Sequence, residues 1–334
     1  MKVLHGMAEV AGQNIYSVKG LRRNGVDAHM AVWRKNPSDY EVELDVGIGE
    51  CKFLYPWYAL KMLIFAIKTA KKYDCFHFHF GHSLLPYGMD LPFLKTMNKK
   101  IFFEFHGSEI RGVIRNVPYK YFKVKEGGWL QKRKILKIAK YADGFILHDA
   151  ELCSHLPKCD VPVYIVPLRL DIDRCRPHYP DPEEKVPLIV HAPSNRGNKG
   201  TEHILKAIEE IKMPCSFVIV ENKTQKEAFE VYKQADIIVD QIVAGTYGVF
   251  SIEAMALGKP VITYISEEMR ETFPKTIPII SAQPDTIKEA VEELLLDGKR
   301  RHWLGKKGRE YVEEYHDYKK NGELLKKIYE GRED

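Results

Sequence analysis

Two stretches in the second half of the chain hold residue types suited to a phosphorylated ligand. The first reads His191-Ala192-Pro193-Ser194-Asn195-Arg196-Gly197-Asn198-Lys199-Gly200-Thr201. A strand-like run feeds a loop of small residues, and a helix is predicted to open at Gly200 or Thr201. Unpaired N–H groups at a helix N-terminus carry partial positive charge and suit phosphate oxygens. Arg196 adds a planar donor and Lys199 a compact point charge. No GxxxxGK[ST] pattern is present, so this is not a Walker loop; taken alone, the stretch reads equally as a diphosphate site or a solvated basic loop. The second stretch spans 240–262 and includes Gly245, Tyr247, Gly248, Val249 and Glu253. A strand ends, a glycine-containing turn follows, and a short helix predicted over 252–257 carries Glu253 in its first turn. A carboxylate there suits the two hydroxyls of a ribose, or simply caps the helix. Gly258-Lys259-Pro260 then stops the helix and starts another strand.

Together these stretches resemble the retaining GT-B glycosyltransferases of family GT4, also called glycosyltransferase group 1. Lys199-Gly200-Thr201 matches the family's "KGT". Gly248, Glu253-Ala254-Met255-Ala256, Gly258 and Pro260-Val261 match its later "E-G-F-G-L-P-x-x-E-A-M-A-x-G-x-P-V". The resemblance implies that Arg196 and Lys199 bind the donor diphosphate, with Thr201 at the start of the following helix. It implies that Glu253 binds the ribose and that the Tyr247-Gly248-Val249 turn offers backbone N–H groups to sugar and phosphate. In the first half, Glu9-Val10-Ala11-Gly12-Gln13 resembles the family's glycine-rich loop, where Gly12 lets backbone approach the donor. Phe105-His106-Gly107-Ser108-Glu109 resembles its His-Gly segment, which puts His106 near the transferred sugar. The chain departs from the pattern at Gly245. That position lies eight residues before Glu253, where the family has a sugar-contacting Glu.

The elements that must position these residues alternate short apolar runs with longer amphipathic ones, the pattern of a parallel sheet with helices on both faces. Strands are predicted over 3–6, 28–32, 75–80, 101–105, 144–148 and 163–166, and in the second half over 188–191, 216–220, 237–239, 261–264 and 277–280. Helices are predicted over 13–23, 200–211, 224–234, 252–257, 284–296 and 299–315. A proline-rich stretch near 168–186 is the natural linker. The expected architecture is α/β and GT-B: two doubly wound, Rossmann-like domains facing across a cleft. They would comprise an acceptor-side domain over 1–170, a nucleotide-sugar domain over 171–315, and a helical tail over 316–334 that packs back on the first domain. The nucleotide is expected near Val220-Glu221-Asn222, at a strand end.

The 334 residues are 45% hydrophobic and 29% charged, which suits two folded domains. The greasiest run, 57–70, is interrupted by Lys61 and Lys68 and is too short to span a bilayer. The N-terminus lacks a signal-peptide pattern, so a cytoplasmic protein is expected, peripheral at most to a membrane. Six scattered cysteines without a CxxC pair argue for reduced thiols. Residues 1–170 hold 26 Lys/Arg against 16 Asp/Glu, and ten of those cations fall within 111–140 beside the single acid Glu126. Such a field attracts an anionic acceptor or an anionic membrane surface, unless it is only a solvated helix face. No nucleic-acid motif accompanies it.

Two patterns imitate metal sites. His77, His79 and His82 have no carboxylate or thiolate at a supporting spacing. Asp171-Ile172-Asp173 sits in the linker, where turns favour Asp. No metal or other cofactor is expected. The resemblance implies a retaining hexosyl transfer from a nucleotide-diphosphate sugar to a glycan or lipid-linked acceptor, in surface polysaccharide or glycolipid synthesis. The alternatives are a non-catalytic sugar-nucleotide-binding subunit, which Gly245 suggests, and a sugar-nucleotide epimerase.

Overall fold

A computed structural model describes residues 1–34, 42–111, 120–121, 128–273 and 275–332. Much of the basic stretch 111–140 therefore lies outside the described residues. Before residue 170 the strands are β1 (Lys2–Gly6), β2 (Asp27–Val32), β3 (Leu44–Asp45), β4 (Cys75–His79), β5 (Lys100–Glu104), β6 (Gly144–Leu147) and β7 (Val163–Ile165). The helices are α1 (Gln13–Arg23), α2 (Tyr55–Lys72), α3 (Leu91–Thr96), α4 (Gly128–Ala139) and α5 (Ala150–Cys153). After it come β8 (Leu188–His191), β9 (Ser216–Ile219), β10 (Ile237–Val239), β11 (Val261–Thr263) and β12 (Ile280–Ser281). Their helices are α6 (Arg196–Lys199), α7 (Thr201–Glu210), α8 (Gln225–Gln234), α9 (Val249–Ala256), α10 (Glu267–Arg270), α11 (Ile287–Leu296), α12 (Gly298–Tyr315) and α13 (Tyr318–Glu330).

The chain divides into two compact units. Unit 1 takes Met1–Val117, Val124–Arg169 and Tyr318–Asp334, and unit 2 takes Pro118–Lys123 and Leu170–Asp317. Unit 1 is built on a parallel sheet of order β3-β2-β1-β4-β5-β6-β7, and unit 2 on one of order β12-β11-β10-β8-β9. In each, the order reverses beside the first strand, the arrangement that leaves a crevice at the strand carboxyl ends.

Alternation along the strands gives the unit 1 sheet two unlike faces. Leu4, Phe76, Phe78, Phe103 and Phe105 form one apolar cluster with Ala66 and Ala70 of α2, Leu91 and Leu94 of α3, and Ile135 and Ile138 of α4. The other parity carries His5, His77, His79 and Glu104, all fully buried. On this polar side α13 contributes Tyr329 and packs closely on α1. A Cβ on Gly20 would lie 2.2 Å from the Tyr318 carbonyl oxygen and 3.0 Å from Gly322 Cα, so the crossing requires glycine.

Unit 2 is apolar on both faces. Ile189, Val239 and Ile262 pack with Ile204 of α7 and Val291 and Leu294 of α11. Three predicted starts shift by three residues, and one of them is α11, expected from 284 but beginning at Ile287. The strand expected over 277–280 begins only at Ile280, because Pro278 has no N–H for the ladder. Helix α9 opens at Val249, three residues early, from an extended Gly248 (φ −109°, ψ −172°).

Candidate functional site

The phosphate-loop candidate in unit 2 is more ordered than a plain loop. After β8 the chain makes one helical turn, α6, capped by the Asn195 side chain, which accepts from the Asn198 N–H at 2.9 Å. Gly200 then turns left-handed (φ 75°) and α7 starts at Thr201. A side chain at Gly200 would also meet Ile242 and Val243 at 2.8 and 2.9 Å, so both conformation and space select glycine. Thr201 is buried, and its hydroxyl pairs with His191 Nε2 at 2.9 Å while His191 Nδ1 donates to the Val239 carbonyl at 2.8 Å. The role of Thr201 seen here is to lock α7 to the strands.

The two cations differ in what they touch. Lys199 Nζ lies 2.6 Å from Asp240 Oδ1 and 3.1 Å from Gln241 Oε1. Asp240 Oδ2 accepts from Ser251 Oγ at 2.6 Å, so a carboxylate at the end of β10 ties the lysine to the first turn of α9. Burial alone would raise the Asp240 pKa, but Lys199 and Ser251 hold it below the ordinary value. Arg196 is half-exposed and grips Glu221 with two bonds of 2.9 and 2.8 Å, with Glu202 at 3.6 Å. Glu221 thus stands where the nucleotide was expected, and a phosphate would have to replace it on the guanidinium. Both partners face solvent, where such a pair contributes little and exchanges easily.

The 240–253 turn closes around Lys199. A Cβ on Gly248 would lie 3.9 Å from Lys199 Nζ, so the N-cap of α9 borders the ammonium with no side chain between them. Gly248 has no side-chain cap, so the first N–H groups of α9 lack the usual capping oxygen. The Tyr247 side chain is buried instead. Its hydroxyl meets Tyr311 Oη at 3.0 Å and His316 Nε2 at 2.9 Å, within an aromatic cluster that includes Phe273. Any ligand contact of Tyr247 must therefore come from its backbone. Because α9 starts early, Glu253 sits in the second helical turn, not the first, and is buried. Its charge helps to raise the thiol pKa of Cys175 to about 12, mostly an effect of burial.

In unit 1, Gly12 is left-handed (φ 81°) and caps the start of α1. The N–H groups there already face a carboxylate, since Glu9 Oε2 accepts from the Ile15 N–H at 3.2 Å. Burial raises the Glu9 pKa to about 7, although backbone N–H groups oppose the shift. His106 follows β5 and lies within a chain of imidazoles that runs from His5 to His148. Its Nδ1 meets His148 Nε2 at 2.9 Å and its Nε2 meets His79 Nδ1 at 3.1 Å; His79 Nε2 meets His5 Nδ1 at 3.2 Å, and His5 Nε2 meets Tyr329 Oη at 3.1 Å. His77 bonds the same tyrosine through Nδ1 and lies 3.0 Å from Glu104 Oε2 through Nε2. Arg169 donates to Glu104 Oε1. Burial depresses the pKa of all five histidines. It pushes Glu104 upward, but Arg169 and the imidazoles outweigh that and hold it well below the usual range.

The spacing argument against metal ligands missed Glu104, which stands directly opposite His79 in the β4–β5 register. A carboxylate was thus supplied across the sheet, not along the chain. His82 stays apart, against Trp33 at 5.0 Å. The sets His5/His77/His79 and His79/Glu104/His106 each bring ligand-type atoms within 4.8 Å of one another. The Arg169 guanidinium on Glu104 balances the only carboxylate charge in these sets, and the facing nitrogens satisfy one another as donor and acceptor. The network is only partly satisfied, since Arg169 Nε and Nη1 and His148 Nδ1 are buried without a hydrogen-bond partner among the described residues. Asp171 pairs instead with Arg174 at 3.3 Å, and all six cysteines are free. Further members of these networks, among them His148, escaped the sequence reading. Asp240 was visible at a strand end, and His5 shares the parity of His77 and His79. Ser251, Arg169 and Tyr329 carried no local signal.

Residues 216–311 match the family model described as "Glycosyl transferases group 1". No curated protein matches the chain in sequence. Among solved structures, the chain is similar to the sucrose-phosphate synthase of Thermosynechococcus elongatus (TM-score 0.73, 18% identity, 98% of each chain covered). It is similar to a glycosyltransferase from Rickettsia africae (TM-score 0.70, 17% identity, 99% of this chain and 97% of that one). A third similar structure is Anabaena HepE in complex with UDP-glucose (TM-score 0.68, 10% identity, 99% and 100% covered). Two parallel sheets with flanking helices give this chain the GT-B fold, and it resembles the group 1 glycosyltransferases in the sequence of its second unit.

Proposed function

We propose that the chain is a glycosyltransferase that takes a nucleotide-diphosphate sugar on unit 2 and transfers its sugar to an acceptor hydroxyl. The observation that carries this reading is the convergence of Lys199 Nζ, fixed by the Asp240–Ser251 pair, on the uncapped N-terminus of α9 at Gly248. A fixed cation beside a helix start that no side chain caps matches the charge that builds on a leaving diphosphate, and such preorganised groups contribute several kcal/mol to barrier lowering. Arg196 would exchange Glu221 for the same diphosphate, and Glu253 would take the ribose. The fold shared with Anabaena HepE, solved with UDP-glucose, agrees with a nucleotide-sugar donor.

In the reaction, the acceptor oxygen bonds to the anomeric carbon and the bond from that carbon to the diphosphate oxygen breaks. The acceptor proton leaves with the diphosphate. Arg196, Lys199 and the α9 N–H groups supply the positive charge, so the reading requires no metal. We assign it retention of configuration, a hexosyl donor, a glycan or lipid-linked acceptor, and a cytoplasmic site of action at an anionic membrane face. His106 would act near the sugar and Gly12 near the donor. No helix among the described residues is long and apolar enough to cross a membrane.

Gly245 favours a second reading, a binding subunit that holds the nucleotide without turnover. Incubation with UDP- and GDP-sugars, followed by release of nucleoside diphosphate, separates the readings. Wild-type turnover abolished by Lys199→Ala supports transfer. Nucleotide binding without turnover supports the subunit, and an altered free sugar nucleotide without any acceptor supports an epimerase. Full turnover by Lys199→Ala would contradict the proposed site.

A further inference from the structure

Helix α2 has two apolar stripes where one is needed. Met62, Ala66, Thr69 and Ala70 face the core of unit 1. On the opposite side Trp57, Leu60, Ile64 and Ile67 recur at helical spacing and stand 53%, 45%, 43% and 41% exposed, and Phe53 just before the helix is 96% exposed. A helix apolar on both sides normally lies buried, and exposed patches of this kind mark interaction surfaces. Lys61, Lys68, Lys71 and Lys72 are its only charged residues; there is no acid along the helix. On a helical wheel Lys61, Lys68 and Lys72 fall along one edge of the outer stripe. The same side of the sheet repeats the chemistry. Helix α4 is equally free of acids and exposes Trp129 and Leu130 beside Arg133 and Lys137, and Lys137 Nζ reaches the Tyr87 carbonyl at 2.6 Å just before α3.

We propose that the outer face of α2 docks on an anionic lipid bilayer, with the start of α4 as a second contact from the same side of the sheet. The helix would lie in the interface plane, with Trp57, Leu60, Ile64 and Ile67 among the acyl chains and the lysines at the phosphates. Apolar residues without acids, flanked by lysines, suit that one occupant: a protein groove would supply apolar contact but no field of phosphates. The proposal gives the membrane contact of the preceding reading a surface. It stands apart from sugar transfer, because its readout involves no donor.

The test is co-sedimentation of the full chain with vesicles of phosphatidylcholine alone or with 30% phosphatidylglycerol, alongside its molar mass in solution. Three neutralised lysines predict on the order of a hundredfold stronger partitioning onto the anionic vesicles, reversed by salt. Leu60→Ser/Ile64→Ser should weaken it by more than about tenfold and leave the thermal midpoint unchanged, as both residues are exposed. Lys68→Glu/Lys72→Glu should remove the dependence on phosphatidylglycerol. Lys199→Ala should bind vesicles like the wild type. Equal binding to both vesicles, or to neither, overturns the proposal. So does a dimer that the Leu60→Ser/Ile64→Ser variant dissociates, because a second copy would then cover the stripe.

Discussion

Each unit buries an ion pair beneath the carboxyl ends of its strands, and the two pairs differ in their access to solvent. In unit 1, Glu104 and Arg169 are completely shut from solvent and ringed by imidazoles. In unit 2, Asp240 is equally buried, but Lys199 keeps 12% of its side chain at the surface, next to an uncapped helix. A sealed pair has no route to a ligand and can only organise its neighbours. A pair with one partner at the surface can hold a cation in place while that cation also meets a phosphate. The contrast explains why the residues expected to bind donor cluster in unit 2, while most members of the larger polar network in unit 1 have no access to one.

The largest way to test this contrast is acid. The five network histidines of unit 1, and His82, whose pKa burial lowers to about 4, bind fewer protons folded than unfolded below the ordinary value of 6.5. Their contribution to stability is therefore complete above about pH 6.5 and is lost as pH falls below it. Each contributes up to about 1.4 kcal/mol per pH unit. Glu9, with its pKa raised to about 7, acts in the opposite sense, favouring the fold at lower pH and losing that contribution as pH rises toward 7. The depressed histidines outnumber the raised carboxyls Glu9, Asp90 and Asp236, so denaturant titrations from pH 8 to pH 5 should show a loss of several kcal/mol. A flat profile would mean that the imidazole chain is open to water.

Next in size is the sealed pair. Glu104→Gln leaves Arg169 buried without its counter-charge and should cost about 3–5 kcal/mol. Adding Arg169→Met should recover part of that loss, which a double-mutant cycle would read directly. Lys199→Met should cost less, about 1–3 kcal/mol, since Asp240 retains Ser251 and can take up a proton. If Lys199→Met proves as costly as Glu104→Gln, the two pairs are equally structural and the contrast fails. The smallest effect is expected from Tyr247→Phe, about 1 kcal/mol for its lost hydroxyl bonds. Nucleotide affinity should not change, because the side chain points into the Tyr311–His316 cluster.

Much of this was legible in the sequence, and the rest was hidden for identifiable reasons. Helix α1 and strands β8 and β10 fall on their predicted limits, because Ile15, Val18 and Leu21 keep helical spacing and Pro187 and Asp240 bound apolar runs. Lys199-Gly200-Thr201 announced the loop in unit 2. What could not be read were partners brought together by the sheet: Glu104 beside His79, Asp240 beneath Lys199, and Tyr329 from the far end of the chain. Local spacing carries no information about register across a parallel sheet. The start of α9 was misplaced because Val249 and Phe250 resemble a strand exit, and only the extended Gly248 marks the true cap.

The account rests most heavily on unit 2 as a diphosphate site, and thermal stabilisation by UDP, GDP, ADP and CMP tests it most directly. A nucleotide at 100 times its dissociation constant should stabilise the wild type by about 2.7 kcal/mol. The Arg196→Ala/Lys199→Ala variant should gain nothing from the same nucleotide, while still folding. Equal stabilisation of both proteins, or of neither at millimolar nucleotide, would contradict the account.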